Sequence, residues 1–566
     1  MASFKRLSLI LMTSCAGAAL SACDGALSVA SPGEGVIVVP APAPSAPTPT
    51  PSPTPTPTPG TPAASCPTGT TDVGVLGSFR GCRIPSLITG SVTLAKLPGV
   101  AYEINGRVDV GIDIGGAGTA PGGQSAFLTI QPGVVLYANT TNADNDFLLV
   151  NRGSRLQAEG TETAPIIFTS QQNVAGTATD ASQGQWGGVI LAGRAPISNC
   201  NLAGVVQTAT GTNAQCENVV EGTGTALYGG NAPADNSGTI RYVQIRYSGT
   251  ILAAGVELQG LTLGGTGYGT TVDHVQIHNS SDDGIEIFGG RSNLKYLVMT
   301  GADDDSLDYD VGYRGFIQFL LAVQKPGNTQ TDNYLMEVDS NGGEDALPRT
   351  WGQIANFTMI QTTSGTNAAI RIRGGADTRL VNGIFVTPNA CTNIVAGADV
   401  GGQHTTTRPA DAGSVPGTSL PAPGAAETYG TLQDFGPPIF NSVYFACGAT
   451  KYATSAVNGI TVTVAEQQAI VEGGASTNVN INGTTAAAVT GTYLTGTGPA
   501  ALTAANPEAY NQLPTSGLAA FFVNAGFLGA VGPTGSGYDT WFQKWTCNSD
   551  RANFGTASGS CTALPN

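Results

Sequence analysis

The sequence predicts an all-β chain, a single-stranded parallel β-helix with inserted loops and a C-terminal cap. Three observations predict it: an unusual composition, a recurring six-residue unit, and the spacing between units. Of 566 residues only 11% are charged, while Gly numbers 78. Long helices need Lys, Glu and Arg on their wet faces; Gly, Thr, Asn and β-branched residues suit strands and turns. Asp282-Asp283-Gly284-Ile285-Glu286-Ile287 aligns with Asp304-Asp305-Ser306-Leu307-Asp308-Tyr309 at an offset of 22 residues. Such spacings exceed a hairpin's reach and are short for strand–helix–strand units.

The N-terminus comes first in order. Lys5 and Arg6 precede an apolar run, Leu7 to Met12, and small residues follow. This is a secretory signal over residues 1–22, too short in its apolar part to span a bilayer stably. Leu20-Ser21-Ala22-Cys23 resembles the lipobox of bacterial lipoproteins. The resemblance implies cleavage before Cys23, a diacylglycerol on its thiol and a further acyl chain, typically palmitate, on its amino group. More than one chain gives stable anchoring. Residues 23–65 form a linker, and 39–63 are almost wholly Pro, Thr, Ala and Ser. That composition prefers extended polyproline, at about 3.1 Å per residue, and spans several nanometres. The expected location is the cell envelope, at the outer rather than the inner membrane, with the leaflet side open.

Ten cysteines are present. Cys15 leaves with the signal and Cys23 carries lipid. The remaining Cys66, Cys82, Cys200, Cys216, Cys391, Cys447, Cys547 and Cys561 read as disulfides in an exported chain. Pairing neighbours is preferred among many connectivities: 66–82, 200–216, 391–447 and 547–561. No CxxC occurs, which disfavours zinc and redox roles.

The body divides into a β-helix with its N-terminal cap, 66–460, and C-terminal coils and cap, 461–566. In the first, the strands preceding the six-residue units also align: Val272, Val275 and Ile277 against Leu294, Leu297 and Met299. Gly188-Val189-Ile190-Leu191-Ala192-Gly193 and Gly255-Val256-Glu257-Leu258-Gln259-Gly260 have the same shape. Met336-Glu337-Val338-Asp339 and Ile370-Arg371-Ile372-Arg373 continue the series. Coils stacked about 4.8 Å apart then make inward ladders of Val256/Leu258, Ile285/Ile287, Leu307/Tyr309, Met336/Val338 and Ile370/Ile372. The longest insertions hold Cys200/Cys216 and the Pro/Gly-rich stretch 401–438. Trp541 and Trp545 read as part of a cap packed on the last coil.

Leu128-Thr129-Ile130-Gln131-Pro132-Gly133, Gln157-Ala158-Glu159-Gly160-Thr161 with Pro165 to Ser170, and Trp186-Gly187-Gly188-Val189-Ile190 resemble a bacterial lipoprotein family. So do Asp303-Asp304-Asp305, Gly312-Tyr313-Arg314-Gly315 and Phe527, Trp541 and Trp545. The resemblance runs from about residue 82 onward by the repeat logic. It implies a right-handed parallel β-helix and gives little on function. Some members are encoded near TonB-dependent outer-membrane transporters, which implies a transporter as partner.

Stacked coils also stack the alternate, outward positions. One column reads Glu257, Glu286, Asp308, Glu337, Arg371; its neighbour reads Gln259, Phe288, Asp310, Asp339, Arg373. Like charges one coil apart repel. Raised pKa values, pairing with Arg371 and Arg373, or a bridging hard cation would relieve them. The expected calcium ligands are Glu286, Asp304, Asp305, Asp308, Asp310, Glu337 and Asp339, with Asp282, Asp283 and Asp303 nearby. A solvated, partly paired acidic face is the other reading of the same residues.

Net charge is −16, which disfavours nucleic acid. His274 and His278 sit four positions apart, an even number that puts both on one strand face, and read as a polar outward pair rather than a metal site. The leading functional expectation is a non-catalytic binding or structural β-helix that presents a calcium-bearing face to a glycan, a small nutrient or an outer-membrane transporter. The alternative is a polysaccharide lyase or glycoside hydrolase using Asp283, Asp305, Asp308 and Arg371. The pairs Asp282-Asp283 and Asp304-Asp305 resemble the Asp pair of polygalacturonases, but that family's Gly-His-Gly and Arg-x-Lys are absent. A purely structural or adhesive surface protein is the third reading.

Overall fold

In the computed structural model the described residues are 60–141, 145–253, 256–325, 333–340, 342–365, 367–411, 432–481, 502–510 and 521–565. The expected signal 1–22, Cys23 and the linker up to residue 59 lie outside them. The chain divides into two units, Met1–Pro55 and Thr56–Asn566, and the second holds every described residue. Among these, no helix is long and apolar enough to cross a membrane.

The fold is a parallel β-helix with three faces. The first face is an eleven-stranded parallel sheet. It runs through Arg107–Val110, Phe147–Val150, Val189–Ala192, Leu261–Gly264, Ile285–Phe288, Leu307–Asp310, Met336–Val338, Ile370–Ile372 and Thr392–Ile394. The other two faces belong to one sixteen-stranded sheet folded along a corner. Gly238–Arg246 shows how: its first half pairs with Arg155–Glu159 and its second with Ile166–Ser170. The hinge is Tyr242, whose φ is +50°. The same left-handed corner recurs at His274, Tyr296, Phe319, Asn356, Asn382 and Ser442. Non-glycine residues rarely adopt this region, so a sevenfold column of them is a property of the coil and not of any one side chain.

Alternation of side chains turns every second residue inward. Leu261/Leu263, Ile285/Ile287, Leu307/Tyr309, Met336/Val338 and Ile370/Ile372 all lie in one continuous buried core. Four of the five expected ladder pairs are therefore in place. The fifth is displaced: Thr250–Ala253 and Val256–Leu258 form an antiparallel hairpin outside the stack, and Leu261/Leu263 take the coil position. Both segments alternate alike, and a period of two cannot choose between them.

Among the described residues four disulfides form, each between neighbouring cysteines: Cys66–Cys82, Cys200–Cys216, Cys391–Cys447 and Cys547–Cys561. At the N-terminal end an antiparallel pair, Thr71–Leu76 with Phe79–Arg83, is held by the first of them. At the other end the helix Val464–Val471 closes the core. It starts from a capping box between Thr463 and Glu466, which satisfies orphan amide groups at its start. Its Gln467 accepts from Thr392 Oγ1 and Ile394 N, and Val471 is fully buried.

Trp541 and Trp545 do not sit on the last coil. The segment 521–565 runs back along the left-handed corner, as a strap. Trp545 lies edge-on to His274 with ring centroids 5.4 Å apart, and Trp541 packs on Tyr296. The reason is the corner itself. It turns Tyr242, His274, Tyr296 and Phe319 outward as one aromatic stack, an apolar stripe that water disfavours. Side-chain amides complete the seam. Gln276 and Gln318 each donate to and accept from strap backbone, at Cys547 and Val523, and Asn382 does the same with Ala505 in the segment 502–510. The expectation of an outward polar His pair is likewise corrected. His274 is stacked in this column, and His278 is fully buried beside Thr300, where burial pushes its imidazole down to about 3.

Candidate functional site

On the first face the parallel register sets Thr262, Glu286, Asp308, Glu337, Arg371 and Asn393 one above another. Gly264, Phe288 and Asp310 form the next column, which Asp339 and Arg373 extend through Asp339 N to Tyr309 O and Arg373 N to Val338 O. Glu257 and Gln259, expected in these columns, are in the displaced hairpin segment and its exit; Thr262 and Gly264 stand in their places. From Glu286 onward both columns are as the sequence predicts.

The carboxylates separate into distinct groups. Asp282, Asp283 and Asp304 bring oxygens within 4.8 Å of one another, and so do Asp283, Glu286 and Asp308. Asp283 belongs to both triads. The turn before each first-face strand supplies Asp282, Asp283 and Asp304; the strands supply Glu286 and Asp308. Glu337 and Asp339 are drawn away from the triads by Arg373. Its Nε donates to Glu337, and its Nη2 lies 3.0 Å from Asp339 Oδ2. Arg371 lies over the Tyr334 ring, 5.4 Å from its centroid. Asp305 is a turn former: it accepts from Tyr334 N, while its own N–H donates to Asp283 Oδ1 at 2.9 Å.

A solvated acidic face is not what results. Asp283, Glu286 and Asp310 are 7%, 8% and 5% exposed, while Asp304 and Asp308 are half-buried and form the open edge of the cluster. Burial pushes the carboxyls of Asp283, Glu286, Asp305, Asp308 and Asp310 well above the usual range, and their carboxylate neighbours add to the rise. Arg373 acts the other way on Asp308 and Asp310. Asp308 Oδ1 and Asp310 Oδ1 are buried with no hydrogen-bond partner, an arrangement that is costly unless something fills it.

Sequence reasoning missed one contributor, Glu221. The insertion that carries Cys200–Cys216 folds against the first face, where Tyr228 packs on Phe288 with centroids 5.6 Å apart. Glu221 accepts from Glu257 N at 2.7 Å, and burial pushes its carboxyl up to about 7. Its charge adds to the rise at Glu286 and Asp310. The length of the insertion was the available signal. Nothing in its own sequence says which way it folds.

No curated protein and no solved structure matches the chain. The profile of the pectate-lyase-like β-helix domain matches residues 117–415, just over half of its length. That span includes the first-face strands from Phe147–Val150 to Thr392–Ile394, both triads and the disulfide-closed insertion. The chain belongs to the pectate-lyase-like β-helix family.

Proposed function

We propose that this protein is a non-catalytic β-helix of the bacterial cell envelope, held at a membrane by lipid on Cys23, and that its first face binds calcium. The observation that carries the metal reading is the pair of triads sharing Asp283, beside carboxylate oxygens that are buried without a partner. Calcium takes about 6–8 oxygen ligands in flexible geometry, and buried carboxylates from turns and strands suit it. Asp282, Asp283, Glu286, Asp304 and Asp308 are the expected protein ligands. Glu337 and Asp339, already engaged by Arg373, are second to them. The bound face would present a ligand site to a glycan, a small nutrient or an outer-membrane transporter.

Calorimetric titration of EDTA-treated protein tests this. Calcium should bind saturably and raise the melting temperature; at a hundredfold excess over Kd the gain is about 2.7 kcal/mol. Asp283→Asn, which touches both triads, should weaken binding at least about tenfold. No heat and an unmoved melting temperature would exclude the metal. The anchor has its own test. Labelled palmitate should enter the wild-type chain in cells and not Cys23→Ser, which should also leave the membrane fraction. Equal labelling of the two would remove the lipid.

Family membership favours one second reading, a polysaccharide lyase or hydrolase. Two features weigh against it. Arg371 and Arg373, the bases a lyase would need, are engaged with Tyr334 and with Glu337 and Asp339, and Asp283 and Asp305 are too buried to meet a polymer. Cleavage of polygalacturonate, lost in Asp308→Ala, would establish this reading in place of the first.

A further inference from the structure

Arg373 belongs to the coil after Glu337 and Asp339, and its guanidinium closes on both. Glu337 lies on the strand Met336–Val338 and Asp339 directly follows it, two positions on, and both carboxylates meet the same guanidinium. Such a pair is a two-pronged acceptor matched to the planar fork of a guanidinium. The preceding coil repeats the pair. Asp308 is in register with Glu337, and Asp310 follows Tyr309 just as Asp339 follows Val338, the residue paired with it. Here the residues of the next coil are Glu337 and Asp339, acids themselves, so among the described residues no arginine takes the place that Arg373 takes for the later pair, although the Arg373 charge is felt at both Asp308 and Asp310. Asp310 is 5% exposed, and its Oδ1, like that of Asp308, is buried with no hydrogen-bond partner. Phe288 is in register with Asp310 one coil earlier and is backed by Tyr228. An aromatic wall beside a carboxylate fork favours a delocalised, weakly hydrated cation. Half-buried Asp308 gives the approach from solvent.

We propose that Asp308 and Asp310 form a receptor for an external guanidinium group, for which Arg373 is the built-in likeness. The site goes beyond the calcium reading and does not depend on it. The two share Asp308, so calcium and a guanidinium would compete.

The test is calorimetry on the EDTA-treated full chain with ethylguanidinium, and with ethylammonium as a cation of equal charge that lacks the fork. Ethylguanidinium should bind saturably, one per chain, and at least about tenfold more tightly than ethylammonium. Asp310→Asn, checked for an unchanged fold by its melting temperature, should weaken it at least about tenfold. Arg373→Ala should raise the stoichiometry to two, because the Glu337/Asp339 pair is then vacated, and ethylguanidinium should restore part of the melting temperature that this variant loses. Asp283→Asn separates this site from the metal: calcium binding falls and ethylguanidinium binding stays. N-acetylarginine amide binding more tightly than ethylguanidinium would support the site and assign the group to a protein side chain; weaker binding would support it and assign the group to a small molecule. No saturable heat, equal binding of ethylammonium, or an unchanged affinity in Asp310→Asn would each overturn the proposal.

Discussion

Replacing Trp545 with alanine is expected to cost about 3–5 kcal/mol of stability, the range for deleting a large buried aromatic. Trp545 is completely buried although it lies on the strap and outside the coil core. Its ring joins a cluster with Val298, Leu321, Phe542 and Phe554. Its Nε1 donates to Trp541 O, and its own carbonyl accepts from Gln244 Nε2 at 2.6 Å. Alanine would leave a cavity at the point where strap and corner column meet, and would loosen the aromatic stack on both sides. Urea unfolding checks the loss, and limited proteolysis of 521–565 checks its location. Trp545→Phe should recover most of the stability. A loss under about 1 kcal/mol would mean that the strap is not integral to the fold.

Arg349→Met is expected to be comparably severe, again about 3–5 kcal/mol, because it breaks a buried ionic group from the cationic side. The Arg349 side chain is 1% exposed. Its Nη2 lies 3.1 Å from Asp377 and 3.5 Å from Asp434, and its Nη1 lies 2.7 Å from Asp345. Arg408 links Asp434 and Asp345 from the other side, which ties the ends of the long Pro/Gly-rich insertion to the coil. Without Arg349, Asp377 and Asp434 face each other in a dry site. Burial already pushes the Asp377 carboxyl up from 3.8 to about 6, against the pull of Arg349. An acid with a folded pKa above its unfolded one holds its proton more tightly when folded, so its stabilising contribution is lost as pH rises through that window. The variant should therefore lose most stability relative to wild type at pH 7 and less near pH 4. Asp434→Asn in the same chain should restore part of it. A destabilisation that is flat with pH would mean that the lost term is packing and not charge.

Much of this architecture was legible in the chain. The alternating units at 285–287, 307–309, 336–338 and 370–372 fixed both the ladders and the acid columns, because parallel stacking carries a sequence offset directly into neighbouring positions. The disulfides formed are the neighbour pairs that the sequence favoured among many connectivities. Three things were not legible. Leu261/Leu263 and Val256/Leu258 carry the same alternation, so only packing could choose the true coil. The left-handed corner at Tyr242, His274 and Tyr296 has no residue signature, since Tyr, His and Phe occupy a conformation that ordinarily selects Gly or Asn. The strap's path follows from that corner and was hidden with it. Within the candidate site, the expected ligands Glu286, Asp304 and Asp308 fall in the two triads, which Asp282 and Asp283, expected only nearby, complete; Asp310 is in neither. Glu337 and Asp339 do not join them, because Arg373 is long enough to reach back a coil, and Asp305 does not, because backbone amide bonding sets its turn.

The hydrogen bonds from Asn173 to the carbonyls of Cys561 and Thr562 join residues 388 and 389 positions apart in the chain. A ribosome delivers the two members of such a pair far apart in time. The turns of the spiral can stack from local contacts as they emerge, but the belt that covers their aromatic flank is made only after them. Until it arrives, every unfinished molecule displays a sticky column running along its side. The belt's arrival is thus recorded on the surface: a chaperone or protease that reads exposed aromatic rings can tell a belted molecule from one without its belt, and need not inspect the core.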